Sequence, residues 1–332
     1  MIRKSIFLKT GLMVMLLFFI TILVACNDNS KKDEVSTSDY PKEQINMVIP
    51  HDPGGASDLI FRLVAKEAEE YLDQKIVPVN ISGASGTTAA REVMNADPDG
   101  YTIFGMHNGI EMAHYAGIFE HSVVDSFEPI AHISQTPNIF TVNSESGWAN
   151  IDDVLNYIEE NPGEFNWGHV PGSTDHFFIA QLMDEVGINL EDVNLIPYEG
   201  SGELINDLLA GHIDGIMDNL ASGKAYFGNE FTPLGLAHDE RLDDAPDIQT
   251  IKEQDIDMVH STIRGFIAPK DTPEEVLETL ESAFEKALES SEVQEQMAEF
   301  GTLIDFKPHD EFQEFLKEMS ADLERLSEDM EF

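Results

Sequence analysis

The sequence predicts an α/β protein of two domains. Three observations carry that prediction. Short apolar runs of strand character alternate with stretches of helical periodicity from Ile45 onward. Four glycine-bearing turns, at Gly54-Gly55, Gly83 to Gly86, Gly172 to Thr174 and Gly200 to Gly202, each open a helix. The chain of 332 residues is long enough for two cores of ordinary size. Such alternation favours mostly parallel sheets covered on both faces, with ligands bound outside the carboxyl ends of the strands.

The elements follow in order. Ile45 to Ile49 reads as a strand, Pro53-Gly54-Gly55 breaks it, and Leu59, Ile60, Leu63, Val64, Ala68 and Tyr71 recur at helical spacing, with Ser57 or Asp58 at the helix start. Lys75 to Asn80 is a second strand, and the turn Ser82 to Thr88 opens a second helix. Asp97-Pro98-Asp99-Gly100 is a turn before the strand Tyr101 to Met106, which exits into a polar stretch at His107-Asn108-Gly109. Ile130 to Val142 is extended, interrupted by Pro137, and suited to crossing between domains. The second domain repeats the pattern: a helix from Ile151, a strand Phe165 to Gly168, a helix capped by Ser173 or Thr174, a strand Val193 to Pro197 and a helix Glu203 to Ala210. Strands at His212 to Asn219 and Leu234 to Ala237 follow. Ser261 to Ala268 returns the chain, and Thr272-Pro273-Glu274-Glu275 starts a helix with Thr272 as cap, followed by two more amphipathic helices. The expected division is 41–142 plus 261–332 for domain 1 and 143–260 for domain 2. With two glycine turns in each, a cleft lined by helix N-termini from both sides follows.

The first residues are of another kind. Arg3, Lys4 and Lys9 precede an apolar run from Leu12 to Ala25, and Leu23-Val24-Ala25-Cys26 closes it. This reads as a secretory signal over 1–25 that leaves Cys26 at the new N-terminus, and it resembles a bacterial lipoprotein signal with Cys26 as the lipid-bearing residue. A plain signal peptide or anchor is the alternative. The polar run from Asn27 to Asp39 has little to bury, so 26–40 reads as a flexible tether. The single cysteine excludes an internal disulfide.

Nineteen Lys and Arg stand against 63 Asp and Glu, a net charge of −44. That balance excludes nucleic acid as a partner. The acidic residues are spread along the chain, which points to a solvated acidic surface suited to saline or alkaline surroundings. An anionic ligand would have to be held by fixed, short-range N–H and hydroxyl donors.

Free N–H groups and the positive dipole end make a glycine turn at a helix start a ready anion site. None of the four turns ends in Gly-Lys-Ser/Thr, and Gly83-Ala84-Ser85-Gly86 lacks the dinucleotide spacing, so a nucleotide is not expected. His107, His114 and His121 recur every seven residues, as do His169 and His176, wider than the three or four of helical metal pairs. Solvated or capping histidines are the better reading. Asp58 and Asp218 could form a catalytic pair, but no nucleophile accompanies them. A helix start for Asp58 and a solvated strand end for Asp218 balance a role in hydrogen bonding a ligand. Tyr198 ends a strand on the same side and suits a pocket wall, whereas Phe177 and Phe178 read as core.

Together these residues resemble the solute-binding proteins of tripartite tricarboxylate transporters, the Bug-type receptors of bacteria. The markers are Ile49 to Asp58, Asp97 to Thr102, Pro137-Asn138, Asn161-Pro162-Gly163, Val193 to Gly200, Leu208 to Asp214 and Gly265 to Pro269, and the likeness runs from Tyr40 to about Leu326. The resemblance implies a two-domain periplasmic-binding-protein-like (type II) fold closing on a ligand in the cleft. It implies that Pro53, Gly54, Gly55, Ser57 and Asp58, with Gly172, Ser173, Thr174 and His176, grip a carboxylate. Ser82, Ser85, Gly86, Tyr198 and Asp218 would complete the site, with no cofactor and no metal. The expected protein is a membrane-tethered monomeric receptor, not an enzyme, that presents a small di- or tricarboxylate or related organic acid to membrane transporter subunits. An extracellular hydrolase and a metal-ion receptor are the alternatives. Three departures from the family pattern, His51, Ser82 to Gly86 and His107-Asn108, add polar donors and suggest a more polar or anionic distal half of the ligand. His51 also raises the prospect of binding that responds to pH below about 6.5.

Overall fold

The structure is a computed structural model that describes residues 40–328 and 330. The signal over 1–25 and Cys26 lie outside the described residues.

Strands β1 (Ile45–Ile49), β2 (Ile76–Asn80) and β3 (Thr102–His107) form a parallel group in the order β2-β1-β3. Between them run α1 (Ala56–Leu72) and α2 (Thr87–Met94). In β1 the side chains alternate as the pleat requires: Ile45, Met47 and Ile49 pack with Phe61 and Val64 of α1, and Val48 turns to the other face with Ala89, Ala90 and Val93 of α2. This sheet is therefore buried on both sides.

The long strand β4 (Phe127–Asn143) joins the two halves. Phe127 to Pro137 pairs with β9 (Ser261–Pro269), and Asn138 to Val142 pairs with β7 (Gly215–Asn219). The hand-over from the first lobe to the second falls at Pro137-Asn138. Pro137 does not break the strand. It sits opposite Ser261 at the end of the β9 ladder, where a residue without an N–H can be accommodated.

In the second lobe β5 (Phe165–His169) lies parallel to β6 (Val193–Pro197) and to β7. Helices α5 (Ile151–Glu160) and α6 (Thr174–Val186) bury Phe140, Trp167 and Phe178, with Trp167 and Phe178 stacked at 5.9 Å. Phe177 is fully buried too, against Met112, Leu323 and Leu326. Helix α7 (Ser201–Leu209) packs Leu204 and Leu208 on Ile213 and Ile216.

Several local expectations change. The sheets are mixed, because β9 pairs antiparallel with β3 and β4, and β7, β8 (Phe231–Leu236) and β10 (Leu303–Lys307) also pair antiparallel with β4. A strand that crosses between lobes and one that returns run in opposite directions, and the pairing follows. The polar stretch after β3 opens a helix, α3 (Gly109–Tyr115), which buries Ile110, Met112 and Ala113. Helix α1 starts at Ala56 with Gly55 as its cap, so Ser57 and Asp58 lie inside the first turn. Thr272 is not a cap: the helix Glu274–Leu288 follows Pro273, and the Thr272 hydroxyl donates to the Pro269 carbonyl at 2.7 Å.

Candidate functional site

A cleft of about 490 Å³ lies between the lobes, bordered by the segments that carry the glycine turns. Its first wall is Pro50, His51 and Asp52 after β1, the turn Ser82 to Gly86, and His107 with Gly109 after β3. The second is Val170 and Ser173 to Asp175 after β5, Glu199 and Gly200 after β6, Leu204 and Ile205 of α7, and Ile216 to Asn219 with Ser222 at the end of β7. All the strands that feed it end there, which is the position expected of a ligand site in an α/β sheet.

The opening turn contributes differently from expectation. Pro50, His51 and Asp52 line the cleft, while Pro53, Gly54 and Gly55 are exposed beside it and Ser57 and Asp58 point into the protein. Asp58 accepts the Gly54 N–H at 2.8 Å, the Arg62 Nε–H at 2.8 Å and the Asn80 Nδ2–H at 2.8 Å. Asn80 Nδ2 also donates to the His51 carbonyl at 2.8 Å. Burial pushes the Asp58 carboxyl up, but the bonds from Asn80, Gly54 and Arg62 outweigh it and hold the group below the usual carboxylate range. Asp58 thus fixes the turn that carries His51, and its oxygens are taken. The Ser57 hydroxyl accepts Arg264 Nε–H at 2.9 Å and is likewise engaged.

The second turn is the more strained. Ala84 and Ser85 hold φ of 49° and 54°, in the left-handed region that non-glycine residues seldom adopt, and Gly86 follows at 82°. A Cβ on Gly86 would come within 2.6 Å of Ile110 Cδ1 and 2.9 Å of Pro50 Cβ, so only glycine fits. Ser82, Ser85 and Gly86 all line the cleft. Strain of this kind, kept at a cleft wall beside a helix start, marks the turn as a candidate binding loop.

Across the cleft Ser173 is the cap of α6, and Thr174 is its first residue. The Ser173 hydroxyl lies 2.8 Å from the Val170 carbonyl and also contacts the Asp175 carboxylate. Asp175, buried in the first turn, accepts Val170 N–H at 3.1 Å and His176 N–H at 3.0 Å. Burial raises its carboxyl to about 7 despite those bonds. Gly172 does not line the cleft. It presses on the first lobe, where a Cβ would meet Ile118 Cδ1 at 2.7 Å and Ala116 Cβ at 2.8 Å. His176 Nδ1 accepts the Gly172 N–H at 3.2 Å, and its ring packs edge-on to His169 at 4.3 Å. Both histidines are turn supports rather than cleft walls.

Asp218 lines the cleft, and Tyr198 does not. The Tyr198 hydroxyl donates to Asp207 at 2.7 Å. Asp218 Oδ1 accepts the Asn219 N–H at 2.8 Å and the Ser222 hydroxyl, while Oδ2 is buried with no hydrogen-bond partner among the described residues. Burial raises this carboxyl as well.

Sequence reasoning left Asp52, Asp175, Glu199, Asn219 and Ser222 off the site, although Asp52, Asp175 and Glu199 adjoin predicted turns and Asn219 ends a predicted strand. His51 and His107 were visible as departures from a pattern. Their rings meet edge-on at 5.1 Å. Burial first, and then the Arg264 charge, lowers His51 to about 4 against the opposing pull of Asp52 and Asp58. His51 is therefore neutral through the physiological range, and the expected switch near pH 6.5 moves well below it. Among the described residues no three His, Cys, Asp or Glu side chains gather to hold a metal, and no helix is long and apolar enough to cross a membrane.

The comparisons agree with this geometry. Residues 60–331 match the model of the tripartite tricarboxylate transporter family receptor. A UPF0065 protein of Bordetella pertussis is 32% identical over 257 residues, covering 75% of this chain and 77% of the relative. The structure of a TctC solute-binding protein from Polaromonas superposes with a TM-score of 0.75 at 26% identity, covering 88% of this chain and all of that one. Rpa4515 of R. palustris, solved with adipate, superposes at 0.76 with 25% identity, covering 87% and 98%. With its β-strand ends and glycine turns converging on an interlobe cleft, this chain belongs to the tripartite tricarboxylate transporter receptor family of solute-binding proteins.

Proposed function

We propose that the protein is an extracytoplasmic solute-binding lipoprotein, anchored through Cys26, that captures a small carboxylate and hands it to membrane transporter subunits. In this reading it acts as a monomer, it is not an enzyme, and 41–142 plus 261–332 close against 143–260 over the ligand. One observation carries it. Two helix starts on the second lobe and the left-handed turn Ala84 to Gly86 on the first converge on a cleft of about 490 Å³, which is lined by helix N-termini, hydroxyl residues and neutral histidines without a Lys or Arg among its lining residues. Fixed dipoles of that kind hold a carboxylate without a counter-charge. The adipate in Rpa4515 supports the ligand class and size. In the assigned grip, Ser82, Ser85, Gly86, Ser173, Thr174 and Asp218 meet the ligand directly, while Pro53, Gly54, Gly55, Ser57, Asp58, Gly172, His176 and Tyr198 shape the walls that do.

Thermal-shift screening against dicarboxylates, tricarboxylates, acidic amino acids and aromatic acids, followed by calorimetry of each hit, tests the reading. A saturable upward shift with one-to-one binding and unchanged ligand is expected. Turnover of the acid would point to a hydrolase, and a response confined to metal ions would point to a metal receptor; either result overturns the proposal.

A further inference from the structure

Arg264 stands out in a chain with a net charge of −44. It is 5% exposed, its hydrogen bonds run to the hydroxyls of Ser57 at 2.9 Å and Thr136 at 2.8 Å, and no carboxylate among the described residues pairs with it. A buried cation without a counter-ion is costly, and an anion brought near it would offset part of that cost.

Its place in the sheet says where that anion would sit. Arg264 on β9 is the direct cross-strand partner of His107 on β3, so the two side chains share one face of the sheet. His107 in turn meets His51 edge-on at 5.1 Å, and both rings line the first wall of the cleft. Gly109 N–H donates to His107 Nδ1 at 2.9 Å, which leaves the neutral ring's proton on Nε2 as a donor. His51 Nε2 is buried without a hydrogen-bond partner among the described residues. The row Arg264–His107–His51 therefore runs from an unneutralised charge to the cleft. Burial is the largest cause of the lowered proton affinity of both histidines, and the Arg264 charge adds to it at each. The opposite wall carries three carboxylates, Asp175, Glu199 and Asp218, against Asp52 alone on the histidine wall, so the cleft is less acidic on the Arg264 side.

We propose that Arg264 is a positioning residue for ligand charge, making the His51–His107 wall a subsite for a second anionic group, so that the protein prefers a dicarboxylate to a singly charged acid of the same length. This rests on the carboxylate-binding reading above and adds the charge of the ligand's distal end. The helix starts and glycine turns hold one carboxylate by local N–H donors, and Arg264 acts on the other through the histidine wall at longer range in a low-dielectric interior.

The test compares adipate and succinate with their monomethyl esters by calorimetry, on the wild type and on Arg264→Met, Arg264→Gln and Arg264→Lys. The wild type is expected to bind at least one diacid tenfold or more tighter than its ester. Arg264→Met should lose that ratio, with the diacid weakened about thirtyfold and the ester changed less than threefold, and Arg264→Lys should restore most of it. Arg264→Gln keeps hydrogen bonding to Ser57 and Thr136 without the charge, and it carries the same test if the Met variant does not fold, as judged by circular dichroism. Equal binding of diacid and ester by the wild type, or a charge-free variant that keeps the ratio, overturns the role of Arg264 and leaves carboxylate binding intact. Failure of the wild type to bind any of the four, with saturable binding of an unrelated solute, overturns the underlying reading instead.

Discussion

The Asp58 carboxylate closes the turn after β1 by accepting the Gly54 N–H at 2.8 Å. Through Asn80, which bonds both Asp58 and the His51 carbonyl, the same carboxylate sets the backbone that presents His51 to the cleft. Replacing Asp58 by Ala should destabilise the protein by about 3 kcal/mol, the cost of leaving buried donors unpaired. The carboxyl's depressed value means that its stabilisation is present above about pH 4, the unfolded value, and is lost as pH falls through the folded one. Urea unfolding should show a larger difference between wild type and variant at pH 7 than at pH 3.

Gly172 and Gly55 occupy corresponding turns yet predict opposite outcomes. Gly172 has φ of 69°, and its Cβ would strike Ala116 and Ile118 of the facing lobe, whereas a Cβ on Gly55 meets only the Asp52 carbonyl at 3.6 Å. Gly172→Ala should therefore hinder closure and weaken ligand binding at least tenfold, with a stability loss of about 1–2 kcal/mol from the left-handed backbone. Gly55→Ala should change affinity less than threefold. Calorimetric titration with adipate, alongside the melting temperature of each variant, separates the two effects.

Asp175 should make stability fall as pH rises. Its buried carboxyl titrates at about 7 in the folded protein, above the unfolded value of about 3.9, so the folded state binds the extra proton between those limits. Stability from this group declines from about pH 4 to about pH 7 and is level beyond. Asp175→Asn removes the slope: the melting temperature of the variant relative to wild type should climb over that range, measured by scanning calorimetry at four pH values. A constant difference would contradict the assignment.

Salt should stabilise the whole molecule. With a net charge of −44 spread along the chain, self-repulsion opposes the compact state, and screening shortens its reach to about 3 Å at 1 M. The melting temperature in molar sodium chloride should exceed that in low salt by several degrees. Equal values would dissociate the acidity from salt tolerance.

By itself the sequence determined the α/β class, the glycine turns and the family, because strand-turn-helix alternation and motif spacing are local properties. It also marked His51 and His107 as unusual, since a polar ring after an apolar strand is legible without coordinates. Local pattern placed Asp58 and Ser57 at a helix start, but only the tertiary structure turned them inward, onto Gly54, Arg62, Asn80 and Arg264, which lie up to 207 positions away. Tyr198 turned to Asp207 for the same reason: a strand end fixes where a side chain begins, and its neighbours decide where it goes. The antiparallel pairing of β9 with β3 brought Arg264 across from His107, a pairing between residues 157 positions apart whose register no local periodicity encodes.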